Sequence, residues 1–291
     1  MNFGGIDAAY DSFEDAAFVV VPVPYDLTTT YQAGARKGPA AILDASANME
    51  LYDEELARET YLAGIHTMPP LEPDASGPHK MIDTVRSTVD YVLTHHKIPV
   101  IIGGDHSVSI GAVQAMVNHY PTLSVLHLDA HADMRDTYQG TPYSHACVSR
   151  RIFEMCPVVQ VGVRSLSADE AVFMRENAIK MYSPEDVLER GGLSEEVVTH
   201  LSEDVYITVD LDVFDPSIMP AVGTPEPGGV YWKDIVRLVR EVSDSCTIRG
   251  FDVVELAPIP GLVAPEFTAA KLIYRVMGYS DPAHHYAVRR R

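Results

Sequence analysis

The chain is poor in cysteine, in positive charge and in long apolar runs, and each shortage removes a class of protein. Its three cysteines, Cys147, Cys156 and Cys246, form no Cys-x-x-Cys pair. Neither a disulfide framework nor a thiolate zinc knuckle is expected, and a reducing, cytoplasmic setting fits best. Only 22 basic residues face 41 acidic ones, a formal net charge of −19. That imbalance disfavours nucleic acid and anionic membranes as partners and favours a cationic small molecule. No apolar run approaches the length of a membrane span. The first, residues 16–24, follows Asp7, Asp11, Glu14 and Asp15, the reverse of the positive flank of a secretion signal. Internal repeats and low-complexity tracts are missing as well.

What is present is 291 residues of ordinary aliphatic content, enough to bury a sizeable core and expected to form one domain over 1–291. Short β-branched runs at 18–21, 99–102, 123–128, 158–163, 205–209 and 248–254 predict strands. Helical periodicity lies between and after them at 39–49, 80–95, 109–119, 168–177, 232–242 and 266–277. Several strand runs are apolar on both faces, as strands buried between helix layers must be. The expected fold is three-layer α/β/α with a central, mostly parallel sheet. Residues 25–38, rich in Thr and Gly, predict a long loop at the mouth of a site, and the four prolines of 69–78 predict a connection. The basic tail 289–291 is expected to be solvated.

The chemistry concentrates at strand ends. Gly103-Gly104-Asp105-His106-Ser107 stops an apolar strand and delivers a histidine. In Asp129-Ala130-His131-Ala132-Asp133, residues 129, 131 and 133 share parity, so extended backbone would aim a carboxylate, an imidazole and a carboxylate at one face. Thr208-Val209-Asp210-Leu211-Asp212 repeats the two-residue spacing, and the run before Glu255 ends in the same way. Four aspartates buried together repel unless cations accompany them. Two divalent ions, roughly +4 in charge, balance them and can be bridged by shared carboxylates about 3.5 to 4 Å apart. Oxygen-rich ligation with two imidazoles and no thiolate points to manganese ahead of zinc, with iron, cobalt or nickel as substitutes. Ligands of open parallel sheets bind beyond the carboxyl ends of strands, where all these clusters lie.

These three motifs, followed by Asp215-Pro216 and Gly223-Thr224-Pro225, resemble in order and composition those of the ureohydrolase family, which includes arginase and agmatinase. The resemblance covers most of the chain, from the loop at Tyr25 to the helix after Glu255. It implies an arginase-like α/β/α fold, two Mn²⁺ ions and a bridging hydroxide that attacks the guanidinium carbon to give urea and an amine. By the same resemblance His106, Asp129, Asp133 and Asp210 hold one ion, and Asp129, His131, Asp210 and Asp212 hold the other. Glu255 would bind the guanidinium, His145 would pass a proton to the leaving amine, and both, with Asp133, would count as catalytic. A homotrimer or homohexamer is implied too.

Arginases grip the amino acid end of their substrate with an Asn- and Ser-rich loop closing on Asn-x-His-Gly. Here Met134-Arg135-Asp136-Thr137-Tyr138-Gln139-Gly140-Thr141-Pro142-Tyr143-Ser144-His145 resembles the agmatinase branch instead. That implies conversion of agmatine to putrescine and urea in polyamine biosynthesis. N1-aminopropylagmatine, 4-guanidinobutyrate, arginine and formiminoglutamate stay open as substrates. Outside this class stand a dinuclear phosphoesterase, which needs basic groups where only Arg135 is present, and a non-catalytic regulatory homologue.

Several residues near the motifs carry plainer expectations. His127 is read as a buried, hydrogen-bonded histidine rather than a seventh ligand. Asp105, Asp215 and Asp252 are read as fixing loops or ligands, Cys147 as packing, and His95, His96, His119, His200, His284 and His285 as surface residues.

Overall fold

In the computed structural model, residues 1–189 and 193–281 are described; the tail 289–291, His284 and His285 lie outside them. The strands are β1 (Phe18–Val23), β2 (Tyr52–Asp53), β3 (Arg58–Glu59), β4 (Ile65–Thr67), β5 (Ile98–Gly103), β6 (Ser124–Leu128), β7 (Val158–Val161), β8 (Lys180–Tyr182), β9 (Asp204–Asp210) and β10 (Thr247–Val254). The helices are α1 (Gly38–Ser46), α2 (Pro78–Thr94), α3 (Val108–His119), α4 (Val148–Phe153), α5 (Ala168–Glu176), α6 (Pro184–Glu189), α7 (Leu193–Thr199), α8 (Trp232–Ser245) and α9 (Ala264–Ser280). Pro39, Pro78 and Pro265 stand in the first turns of α1, α2 and α9, where a missing N–H costs nothing.

Eight strands form one sheet in the order β4-β1-β5-β10-β9-β6-β7-β8, and every pair in it is parallel. Helices cover both faces, as an all-parallel sheet requires. On one side Val100, Ile102, Leu126, Leu128, Ile207 and Val209 pack with residues of α1, α8 and α9. On the other, Ile101, Val125, Val158 and Tyr206 pack with residues of α2, α3 and α4. The expected three-layer architecture is therefore the observed one. β5, β10, β9 and β6, the strands that lead into the polar motifs, are consecutive neighbours at the centre of the sheet.

All six predicted strands and all six predicted helices are present. The strand expected over 158–163 ends at Val161 because Gly162 turns the chain with φ 99°. The edge strands β4 and β8, the antiparallel hairpin β2–β3 and the short helices α4, α6 and α7 were not expected. The hairpin is tied to α9 by Arg275, whose side chain is only 5% exposed and whose guanidinium pairs with Asp53, Glu54 and Glu55.

Candidate active site

Beyond β5 the chain passes Tyr25 at close quarters. A Cβ on Gly104 would lie 1.7 Å from the Tyr25 carbonyl oxygen, so only glycine permits the approach. The Asp105 N–H then donates to that carbonyl at 2.6 Å. The buried Asp105 carboxylate accepts from the Thr28 N–H at 2.8 Å, the Thr28 hydroxyl at 2.9 Å, the Ser107 N–H at 3.1 Å and the Ser107 hydroxyl. This binds the 25–38 loop over the strand end and leaves His106 facing the site.

The Asp129, His131 and Asp133 side chains do converge, but not through strand alternation. β6 ends at Leu128, and Asp133 adopts a left-handed backbone, φ 51°. The segment is fixed instead by loop pairing. Arg164 and Ser165 donate their N–H groups to Ala130 O, Ala132 N–H donates to Ser165 O, and Ala130 N–H donates to Asp212 Oδ1 at 3.0 Å. Likewise Asp212 sits in a 3₁₀ turn, Leu211–Val213, closed by its N–H on Asp210 Oδ1 at 2.9 Å. Parity gave the right meeting of residues for the wrong backbone.

The six predicted ligand residues come together. His106 Nδ1 lies 3.1 Å from Asp129 Oδ2 and 3.3 Å from Oδ2 of both Asp133 and Asp210. His131 Nδ1 lies 2.9 Å from Asp212 Oδ2 and 3.5 Å from Asp129 Oδ1. Two sets of donor atoms, each within 4.8 Å of one another, could hold an ion: His106, His127, Asp129 and Asp133, and Asp129, His131 and Asp212. Asp129 belongs to both. His106 Nδ1 and Asp129 Oδ2 are buried and have no hydrogen-bond partner, as two donors turned toward a shared cation would be. The residues present thus fit a pair of divalent ions.

The electrostatics follow from crowding. Burial raises the Asp133 carboxyl, and the Asp129 charge raises it further, to about 7. Burial and then the neighbouring Asp212 and Asp129 push Asp210 well above the usual carboxylate range. Burial opposes charge on His106 and His131, but the facing carboxylates outweigh it and hold both rings above their ordinary pKa. At His127 burial outweighs the one facing carboxylate, Asp129, and lowers the ring to about 3.

A cavity of about 240 Å³ opens above this floor, lined among others by Thr30, Tyr138, His145 and Glu255. Glu255 follows β10 in a left-handed conformation, φ 66°, and its Oε1 accepts the His106 N–H at 2.7 Å. Asp133 and Glu255 are two of the six non-glycine residues with positive φ among the described residues, placing backbone strain at the site. His145 Nδ1 is 3.8 Å from Glu255 Oε1, and its Nε2 is 3.4 Å from the Thr30 hydroxyl. Burial lowers the His145 pKa. Arg135 also lines the cavity, but its guanidinium lies over the Tyr138 ring at 4.9 Å and 3.9 Å from Glu170, leaving no basic cradle for a phosphate.

Sequence reasoning missed the supports. Arg164 donates to six backbone carbonyls, those of Gly162, Asp212, Val213, Phe214, Glu226 and Pro227. It clamps the turn that carries Asp212. Thr28 and Thr30 reach His145 from 115 or more residues away. Asp215 fixes its loop by accepting from the N–H groups of Ser217, Gly228 and Gly229, as expected. Cys147 is fully buried in packing.

An all-parallel α/β/α sandwich with a carboxylate–imidazole cluster beyond its central strand ends defines an arginase-like hydrolase architecture. The model of the Arginase family matches residues 16–278, and the chain belongs to that family. It is accordingly a ureohydrolase. A relative named N(1)-aminopropylagmatine ureohydrolase, from Synechocystis sp., is 38% identical over 93% of this chain and 91% of its own. An agmatinase from Pyrococcus horikoshii is 32% identical over 92% and 93%. The crystal structure of the agmatine ureohydrolase of Thermoplasma volcanium superposes with a TM-score of 0.89 at 33% identity, covering 98% of this chain and 95% of that one.

Proposed function

We propose that the cluster holds two manganese ions, other divalent transition metals being possible substitutes, and that the enzyme hydrolyses the guanidinium group of an agmatine-type amine to urea. The observation that carries this reading is the position of Asp129 between two donor sets on the floor of a cavity walled by Glu255 and His145. His106, Asp129, Asp133 and Asp210 would hold one ion, and Asp129, His131, Asp210 and Asp212 the other. Bound there, the ions would supply Lewis acidity and ionise water near neutral pH. The chain's own residues do the rest. Glu255, anchored through Oε1, presents its carboxylate to the planar guanidinium, the cation best matched to it. His145 stands beside that position with Nδ1 facing Glu255, where it would pass a proton to the departing nitrogen, with the Thr30 hydroxyl at Nε2 as its outer partner.

For the amine tail, the 134–145 loop favours agmatine over arginine. The name carried by the 38% identical relative favours N1-aminopropylagmatine, which would give spermidine in place of putrescine. We place the aminopropyl substrate first and agmatine second. Urea release should be measured with Mn²⁺ present from both, and from arginine and 4-guanidinobutyrate. Higher kcat/KM for the two amines is expected. Arginine turnover equal to theirs would overturn the assignment of the tail, and no urea from any of them would overturn the reaction.

A further inference from the structure

Among the described residues that line the active-site cavity, Leu166 is the one large aliphatic side chain. It is 39% exposed and belongs to none of their buried apolar clusters, so core packing does not account for it. Its backbone is fixed from both sides. Before it, Ser165 forms a parallel bridge with His131, donating to Ala130 O at 2.9 Å and accepting the Ala132 N–H at 3.2 Å. After it, Ser167 caps α5. The Ser167 hydroxyl accepts the Glu170 N–H at 3.3 Å, and Glu170 Oε2 accepts the Ser167 N–H and hydroxyl, each at 2.7 Å. Glu170 Oε1 accepts the Met134 N–H at 2.9 Å, which ties this turn to the 134–145 loop. Leu166 is thus a wall held in place, not a side chain on a free loop.

On the other side of Leu166 lies a groove of about 340 Å³, lined by α5, β8 and the turn between them. Of the described residues, only Leu166 lines both spaces. The groove draws its apolar surface from Met174, Ile179 and Met181, and its charged lining residues, Arg175 and Lys180, are both cations. The active-site cavity is instead rich in carboxylates, those of Asp133, Glu170, Asp210, Asp212 and Glu255. The two spaces therefore suit opposite tails. The groove favours an uncharged alkyl chain and turns away an ammonium. An amine-tailed guanidine gains nothing there, so a wall across the entrance leaves its affinity untouched. A guanidine with an apolar tail loses the contact. Selectivity is a difference of affinities, and withholding contact from the wrong partner raises it as adding contact for the right one does.

We propose that Leu166 is a specificity-determining residue: it shuts the substrate cavity off from the α5–β8 groove and so denies neutral alkylguanidines the apolar contact that would let them compete with the amine substrate. The inference rests on the guanidino-amine reading above.

The test uses the full chain loaded with Mn²⁺, acting on N1-aminopropylagmatine or agmatine, with the amine product being read. Butyl-, hexyl- and octylguanidine, and aminohexyl- and aminooctylguanidine, are titrated as inhibitors of the wild type, Leu166→Ala and Leu166→Val. Wild-type inhibition constants are expected to change little from butyl to octyl. In Leu166→Ala they should fall about fourfold for each methylene that enters the groove, and in Leu166→Val by less. The aminoalkyl compounds should show no such fall. The same chain-length dependence in wild type and Leu166→Ala, with inhibition competitive, would overturn the role of Leu166 alone, and so would a gain that the aminoalkyl compounds share equally. No product from either amine in the wild type, or inhibition that is not competitive, would instead overturn the guanidino-amine reading. Should Leu166→Ala not fold, Leu166→Val, smaller by one methylene, decides in its place: a steeper dependence than wild type supports the proposal and an identical one overturns it.

Discussion

Individual side chains at the site divide into those that would hold ions, those that would meet substrate, and those that only look reactive. His131→Ala removes a donor from the Asp129, His131 and Asp212 set and leaves the other set whole. Elemental analysis is expected to show one metal equivalent lost together with most activity; a full complement of two would remove His131 from the ligands. Glu255→Gln keeps the acceptor that the His106 N–H needs but loses the charge. Both ions should remain while KM rises and kcat falls, and unaltered kinetics would take Glu255 out of the substrate site. Cys147, two residues from His145, is fully buried, and burial with the nearby Asp133 charge raises its thiol to about 11. In the native enzyme it should resist alkylation at pH 8, and loss of activity in step with its modification would contradict a packing role.

At the scale of elements, what could be read in advance was what local pattern determines. The six long strands announced themselves as apolar runs because both of their faces are covered. The edge strands β4 and β8 have three residues each and include His66 and Lys180, too short and too polar to show a period. The candidate ligand residues could be picked out from spacing, since strand ends concentrate them. The geometry that joins them was not, because Asp133 and Asp212 are placed by turns and loop pairing outside the sheet. Nor could the row of buried polar residues that Gln160, His127, Thr208 and Asp252 form across β7, β6, β9 and β10 be read, for its members are neighbours only once the register of four strands is set. Two substitutions test the elements themselves. Gly104→Ala would drive a methyl group into the Tyr25 carbonyl, and a loss of about 3 kcal/mol or failure to fold is expected in chemical denaturation. Arg164→Lys cannot reach six carbonyls. It should lower stability by about 1–3 kcal/mol and loosen metal binding through the Asp212 turn, whereas a wild-type melting profile would show that the clamp is dispensable.

Over the whole molecule, a net charge of −19 surrounds a cavity whose proposed substrate is a cation. Steering of this kind acts on encounter and is screened by salt. Raising ionic strength from about 10 mM to about 0.3 M should lower kcat/KM for a cationic guanidino amine far more than kcat, and a salt-independent kcat/KM would show that the charge serves only solubility. The loop over Asp105 has a further bearing on how this enzyme could be altered. Thr28 receives the His145 N–H at 3.0 Å and gives two hydrogen bonds to Asp105, next to His106. The loop before His145, on which the resemblance to the agmatinase branch rests, is thereby fastened to the loop that holds the first candidate ligand. It is not a detachable cassette: a loop transplanted from an arginase would need a compatible partner at Thr28, and a graft that ignored this would change the metal site along with the substrate.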